Sequence, residues 1–200
     1  MRQLAAQTIL PVHVEIVNFE GKEGLCDITL RYRTGYEKLR GKGYDLIAFI
    51  ENDDWYSPQY LEYMLIQWEM HNCPPLFGTQ YTIYYHLQLR AWFKMNHSER
   101  ASAMNTFIKP DLDFTWCVDY EPYIDIHLWM HTKIPGVIIK PDRHYSMGMK
   151  HGTGLCGGRN HTNFLHRFKN PDKNFAFLQQ HLDKPSFEFF SNYFNPHPEI

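Results

Sequence analysis

The chain has 200 residues, 44% apolar and 16% aromatic, enough for one sizeable core and, at this length, a single compact unit. Twenty basic side chains nearly balance twenty-two acidic ones, so the excess positive field that condenses on a polyanion is missing and nucleic acid is not an expected partner. No apolar run approaches the roughly 20 residues that span a bilayer, and residues 1–7 lack the hydrophobic stretch of a signal peptide, so no membrane span and a cytoplasmic location are expected.

In chain order, residues 12–17 alternate apolar and polar side chains and predict a strand. Residues 34–42 predict a short helix ending at Gly41 and Gly43. Residues 44–50 (Tyr-Asp-Leu-Ile-Ala-Phe-Ile) form a continuous apolar run too short for a core helix, as expected of a strand covered on both faces. Strand, helix, strand points to a parallel α/β sheet. Ser57 and Pro58 read as the N-cap and first position of a helix, with Leu61, Met64, Leu65 and Trp68 on one stripe and an end near His71-Asn72. Residues 77–95 are rich in aromatic and β-branched side chains and predict antiparallel or edge strands, which makes the sheet mixed. A helix over 122–131, short strands at 137–139 and 145–149, and one or two amphipathic helices within 163–194 complete the pattern. The expected division is a core of 1–162 and a C-terminal helical extension, 163–200, packed on it. Cys26, Cys73, Cys117 and Cys156 are widely spaced and read as free thiols.

Glu51-Asn52-Asp53-Asp54 follows the buried strand directly, where ligands sit in open α/β sheets, just beyond the carboxyl ends of strands. Three carboxylates within four residues repel one another unless a cation or hydrogen-bond donors compensate, and Mg²⁺ or Mn²⁺ favours such oxygen ligands. A solvated turn whose acids favour the next helix is the plainer reading of the same residues.

Residues 44–61, in which a hydrophobic strand ends in acids followed by Trp55-Tyr56-Ser57-Pro58 and a helix, resemble the acidic DXD-type segment of family 2-like glycosyltransferases with the GT-A fold. Weaker similarity extends to residues 2–8, like the family's first helix, and to Tyr84-Tyr85-His86. The resemblance implies an α/β fold with a mixed, mostly parallel central sheet flanked by helices. It also implies a metal-dependent enzyme moving a sugar from a nucleoside-diphosphate sugar, a UDP-sugar above others, to a hydroxyl of a glycan or similar acceptor by inversion. Asp54 then corresponds to the carboxylate on the Mn²⁺ or Mg²⁺ that bridges the donor phosphates, and Asp53 to one on the ribose or the same metal; Glu51 is a weaker candidate. The family normally opens with a buried strand before its first helix, whereas Met1-Arg2-Gln3 already has the helix-like pattern, so another segment replaces that strand or it is missing from this chain.

Inversion needs a carboxylate to take the acceptor proton. Asp125, before Leu128-Trp129, best resembles the family's base, with Glu121 and Asp119 as competitors. In Lys150-His151-Gly152 and the glycine-rich stretch after it, His151 resembles a histidine that completes the metal shell or touches the diphosphate, with His161 next, while Lys150 and Arg159 are phosphate candidates. Trp55, beside the acids, is a candidate for an acceptor or donor sugar ring, and Arg33, with Arg31, for the nucleotide. Two other classes stay open. One is a zinc hydrolase built from His144, His151, Cys156 and His161, whose spacing fits no familiar zinc motif; the other is a non-catalytic carbohydrate-binding or degenerate transferase domain.

Overall fold

The computed structural model describes residues 2–22, 25–152 and 165–193. The chain is an α/β protein with two mixed sheets and helices packed against them. The first sheet has the order β1-β6-β3-β7, built from Ile47–Ala48 (β1), Thr106–Ile108 (β6), Leu76–Thr79 (β3) and Gly136–Ile139 (β7). The second has the order β2-β8-β4-β5-β9, from Trp55–Tyr56 (β2), Ser146–Lys150 (β8), Tyr81–His86 (β4), Ala91–Asn96 (β5) and Asn170–Pro171 (β9). Among the described residues only the β3–β7 and β4–β8 pairs are parallel and the other pairs are antiparallel, so the expectation of a mostly parallel sheet is corrected.

That correction begins at the N-terminal side. Residues 12–17 do not form the expected strand, and β1 finds its partner in β6 instead, Ile47 opposite Ile108 and Ala48 opposite Phe107. Alternation alone cannot make a strand without an edge to pair with. The segment is held by side chains of the following helix and turn: Glu15 accepts from Lys38 at 2.7 Å, and the His13 ring lies 5.7 Å from that of Tyr44. Val12 consequently remains 91% exposed.

The helices are α1 (Arg2–Ala5), α2 (Ile28–Leu39), α3 (Tyr60–Met70), α4 (Ile124–Ile126, continued by a π turn, His127–His131), α5 (Ala176–His181) and α6 (Lys184–Asn192). Helix α2 starts six residues before the expected position and ends at Leu39 with Arg40 as its C-cap, followed by Gly41 and Gly43 at positive φ, the conformation glycine tolerates best. Helix α3 buries Tyr60, Leu61, Met64 and Trp68 against Phe77, Phe107 and Tyr145, as its stripe predicts. Its first helical residue is Tyr60, with Gln59 rather than Ser57 at the cap.

The apolar run at 46–50 is covered on both sides. Ile47 and Phe49 join Tyr36, Leu76, Ile124 and Leu128 in one core cluster, while Leu46, Ala48 and Ile50 pack against the α3 cluster. A third cluster sets Leu178, Leu182 and Phe190 of the C-terminal helices against Trp55, Ile83, Tyr85, Met147 and Met149 of the second sheet. Close approach is needed where Trp129 crosses β3 and β7: a Cβ on Gly136 would lie 2.7 Å from the indole, and one on Gly78 3.0 Å from it. Cys73 and Cys117 are free thiols, but Cys26 is disulfide-bonded, which corrects the expectation of free thiols throughout. Cys156 lies outside the described residues.

Asp183 joins the C-terminal helices to the sheet. Its Oδ2 accepts from the Trp55 indole N–H at 3.0 Å, and its Oδ1 caps α6 by accepting from the Ser186 amide at 3.0 Å. Asp183→Ala removes the cap and leaves a buried indole donor unpaired. It is expected to lower stability by about 2–4 kcal/mol, read as a reduced urea midpoint with an unchanged denaturant slope.

Candidate functional site

The acids occupy the turn between β1 and β2, and the N-terminal segment clamps that turn from outside. Gln3 donates through Nε2 to the Asp54 carbonyl at 2.7 Å and accepts from the Tyr56 amide at 2.6 Å; Gln7 donates to the Ser57 carbonyl at 2.8 Å and accepts from the Leu61 amide at 3.0 Å. Two glutamine side chains thus satisfy backbone groups in and around β2 and in the first turn of α3.

Glu51, Asp53 and Asp54 each offer a carboxylate oxygen, and these oxygens lie within 4.8 Å of one another. Each acid is tethered from a different part of the chain. Tyr32 on α2 donates its phenol to Glu51 Oε1 at 2.7 Å, the Met149 amide of β8 donates to Asp54 Oδ1 at 2.7 Å, and His151 Nε2 lies 3.1 Å from Asp53 Oδ2. The Glu51 amide donates to the Tyr56 phenol oxygen at 2.9 Å. Asp54 is 1% exposed, and its Oδ2 has no hydrogen-bond partner among the described residues.

Burial pushes the Asp54 carboxyl well above the usual carboxylate range; nearby Lys150 offsets part of this, while Glu51 and Asp53 push it further up. For Lys150, burial works against the charge, yet Asp54, Glu51, Tyr84 and Asp53 outweigh it and the ammonium is pushed up to about 12. Its Nζ lies 5.1 Å from the Tyr84 ring centroid and makes no ion pair within 4.0 Å among the described residues. Among the described residues, three carboxylates thus stand near one ammonium, a balance that a divalent cation would improve. An oxygen set with a buried, unpartnered member suits a hard cation such as Mg²⁺ or Mn²⁺.

Asp125 stands at the start of α4, 8% exposed, with Oδ2 ion-paired to Arg100. Tyr84 on β4 is the residue on which both groups act: burial raises its phenol, and the charges of Lys150, Glu51, Asp54 and Arg100 all reach it. Arg100 also lines a cavity of about 170 Å³ with Asn96, His97, Ser98, Glu99 and Met130. Glu121 accepts from the Tyr123 amide at 3.1 Å, a local contact at the approach to α4.

The structure brings together Asp53, Asp54, Glu51, Lys150 and His151. It does not bring Trp55 or Arg33 to them. Trp55 is 1% exposed, turned into the cluster with Leu178 and Phe190, and its N–H is taken by Asp183. Arg33 pairs with Asp119 at 2.6 Å and Arg31 with Asp27 at 2.7 Å, which engages both guanidiniums away from the acids. Of the zinc set, His144 packs against Tyr81 and His181, and Cys156 and His161 lie outside the described residues, as does Arg159. Tyr32, Gln3, Gln7 and Arg100 were not expected. Their partners are 19, 51, 50 and 25 residues away or more, and no local pattern marks a phenol, amide or guanidinium for such work.

No protein-family model matches the chain, and no curated protein or solved structure matches it significantly.

Among the described residues, no helix is long and apolar enough to cross a membrane. Because burial raises the Asp54 pKa above its unfolded value, its stabilising contribution is complete below about pH 3.9 and is lost as pH rises through the native value. Asp54→Asn, which cannot ionise, is expected to raise the melting temperature of the metal-free protein at pH 7. The gain should shrink toward pH 4, checked by thermal melts across that range.

Proposed function

We propose that this chain is a metal-dependent glycosyltransferase of the GT-A type, transferring a sugar from a nucleoside-diphosphate sugar to a hydroxyl of a glycan or similar acceptor. The observation that carries the reading is the convergence of Glu51, Asp53 and Asp54, with Asp54 Oδ2 unpartnered among the described residues, at the end of a doubly covered β1. The resemblance of residues 44–61 to the acidic segment of that family supports it.

Asp54, Asp53 and Glu51 would hold Mn²⁺ or Mg²⁺, with His151 beside Asp53. When bound, the cation supplies neutralisation of the charge that gathers on the departing diphosphate. Lys150, an ammonium without an ion-pair partner among the described residues, faces the same region and is suited to a phosphate oxygen. In the transfer, the acceptor oxygen bonds to the anomeric carbon. The bond from that carbon to the phosphate oxygen breaks, its electron pair leaving on the nucleoside diphosphate, and the hydroxyl proton passes to the Asp125 carboxylate. Arg100 holds Asp125 Oδ2, which leaves Oδ1 for the proton.

The test is a thermal-shift series with UDP, GDP and dTDP, each with and without Mn²⁺. A diphosphate at 100 times its Kd is expected to stabilise the protein by about 2.7 kcal/mol only when Mn²⁺ is present, and Asp54→Ala should abolish the shift. A metal-independent shift, or none with any nucleotide, overturns the reading. With a donor found, Asp125→Asn is expected to lower transfer about 10²–10⁴-fold while donor affinity is kept; a greater loss in Glu121→Gln would move the base to Glu121.

A further inference from the structure

Two of the three acids are held by groups whose sites are easily explained. Asp54 bonds to a neighbouring strand, and Asp53 meets the histidine that follows the same strand. Glu51 is different, because its tether comes from a helix packed on the other side of β1. Tyr32 lies on α2, its ring 4.6 Å from that of Phe49, and its phenol donates to Glu51 Oε1 at 2.7 Å. The Glu51 backbone is fixed as well, its amide bonded to the Tyr56 phenol, which in turn reaches the Met104 carbonyl at 3.4 Å. A carboxylate whose main chain and one oxygen are both held has a single free oxygen with a defined direction.

We propose that Glu51 is a third ligand of the cation site and that Tyr32 is its positioning residue, acting through the hydrogen bond to Oε1. The inference rests on the reading of the three acids as a divalent-cation site. Two features make Tyr32 suited to the task. A phenol is a donor that leaves the carboxylate its charge, whereas a lysine or arginine in the same place would neutralise the ligand. Packing of its ring against that of Phe49, with 4.6 Å between centroids, also fixes where the donor sits. Hydrogen bonds of this kind to metal ligands fix ligand orientation, and their loss typically weakens metal affinity about 10–100-fold.

The experiment titrates Mn²⁺ alone into the full chain, followed by the electron paramagnetic resonance of free Mn²⁺, with an unfolding midpoint recorded for each variant. Tyr32→Phe removes only the hydroxyl and is expected to weaken Mn²⁺ binding about 10–100-fold. Glu51→Gln should weaken it at least as much, and the double variant no more than Glu51→Gln alone. Tyr36→Phe is the control: it removes a hydroxyl of the same helix, one that meets the Lys109 carbonyl at 3.3 Å and the Leu112 amide at 3.2 Å, and should bind Mn²⁺ as the wild type does. Wild-type affinity in Tyr32→Phe, or an equal loss in Tyr36→Phe, overturns the positioning role while leaving the cation site standing. Absence of Mn²⁺ binding to the wild-type chain overturns the cation site and this inference with it.

Discussion

Keeping a carboxylate charged inside a protein requires compensation from its surroundings, and the burial of Asp54 sets that requirement for this fold. The Met149 amide supplies one hydrogen bond, Lys150 one charge, and the remaining imbalance is left facing Glu51 and Asp53. Much of the surrounding architecture keeps this arrangement from relaxing. Strand β2 is two residues long and pairs with β8, Trp55 opposite Met147 and Tyr56 opposite Ser146, so the turn before it stays where the β8 backbone is. Gln3 and Gln7 close the same segment from the N-terminal side, and Asp183 holds Trp55 from the C-terminal side. Segments from both ends of the described chain are thus used to fix one short turn.

The two sheets meet behind that turn through a buried polar network. Asn105 accepts from Ser146 at 2.5 Å and donates to Thr82 at 3.1 Å, Thr82 and Ser102 lie 2.6 Å apart, and Thr106 donates to the Ser102 carbonyl at 2.9 Å. Strands β4 and β8 of one sheet and β6 of the other are therefore joined by directional bonds rather than by apolar contact alone. Such a network is effective when satisfied and destabilising when broken, which favours one relative placement of the sheets. That placement sets β1, which brings the acids, beside β8, which brings Lys150.

Much of this was legible in the sequence. The apolar run before Glu51, the stripe of α3, the aromatic strands β4 and β5, and the location of the acids at a strand end all followed from periodicity and punctuation. The misses have physical reasons. Residues 12–17 have strand-like alternation, but pairing depends on an available edge, and side chains of α2 hold the segment instead. Trp55 was read by proximity to the acids. Successive side chains of an extended segment alternate sides, and Trp55 falls in the C-terminal cluster while Tyr56 falls in the α3 cluster. On α2, attention to cations picked Arg33. A helical residue is turned roughly 100° from its neighbour, and it is Tyr32 that faces the acids. Sheet polarity was misjudged because the strand, helix, strand pattern was taken as one parallel unit, and one of those strands does not form.

The tethers of the three acids have a consequence for how the molecule is made. Glu51 is held from 19 residues upstream, Asp54 from 95 and Asp53 from 98 residues downstream. Contacts of such long range close late, after most of the chain entropy has been given up. A nascent or partly folded chain therefore carries the three acids without their geometry, and with little power to retain an ion. Metal occupancy in this protein would mark completed assembly rather than assist its start.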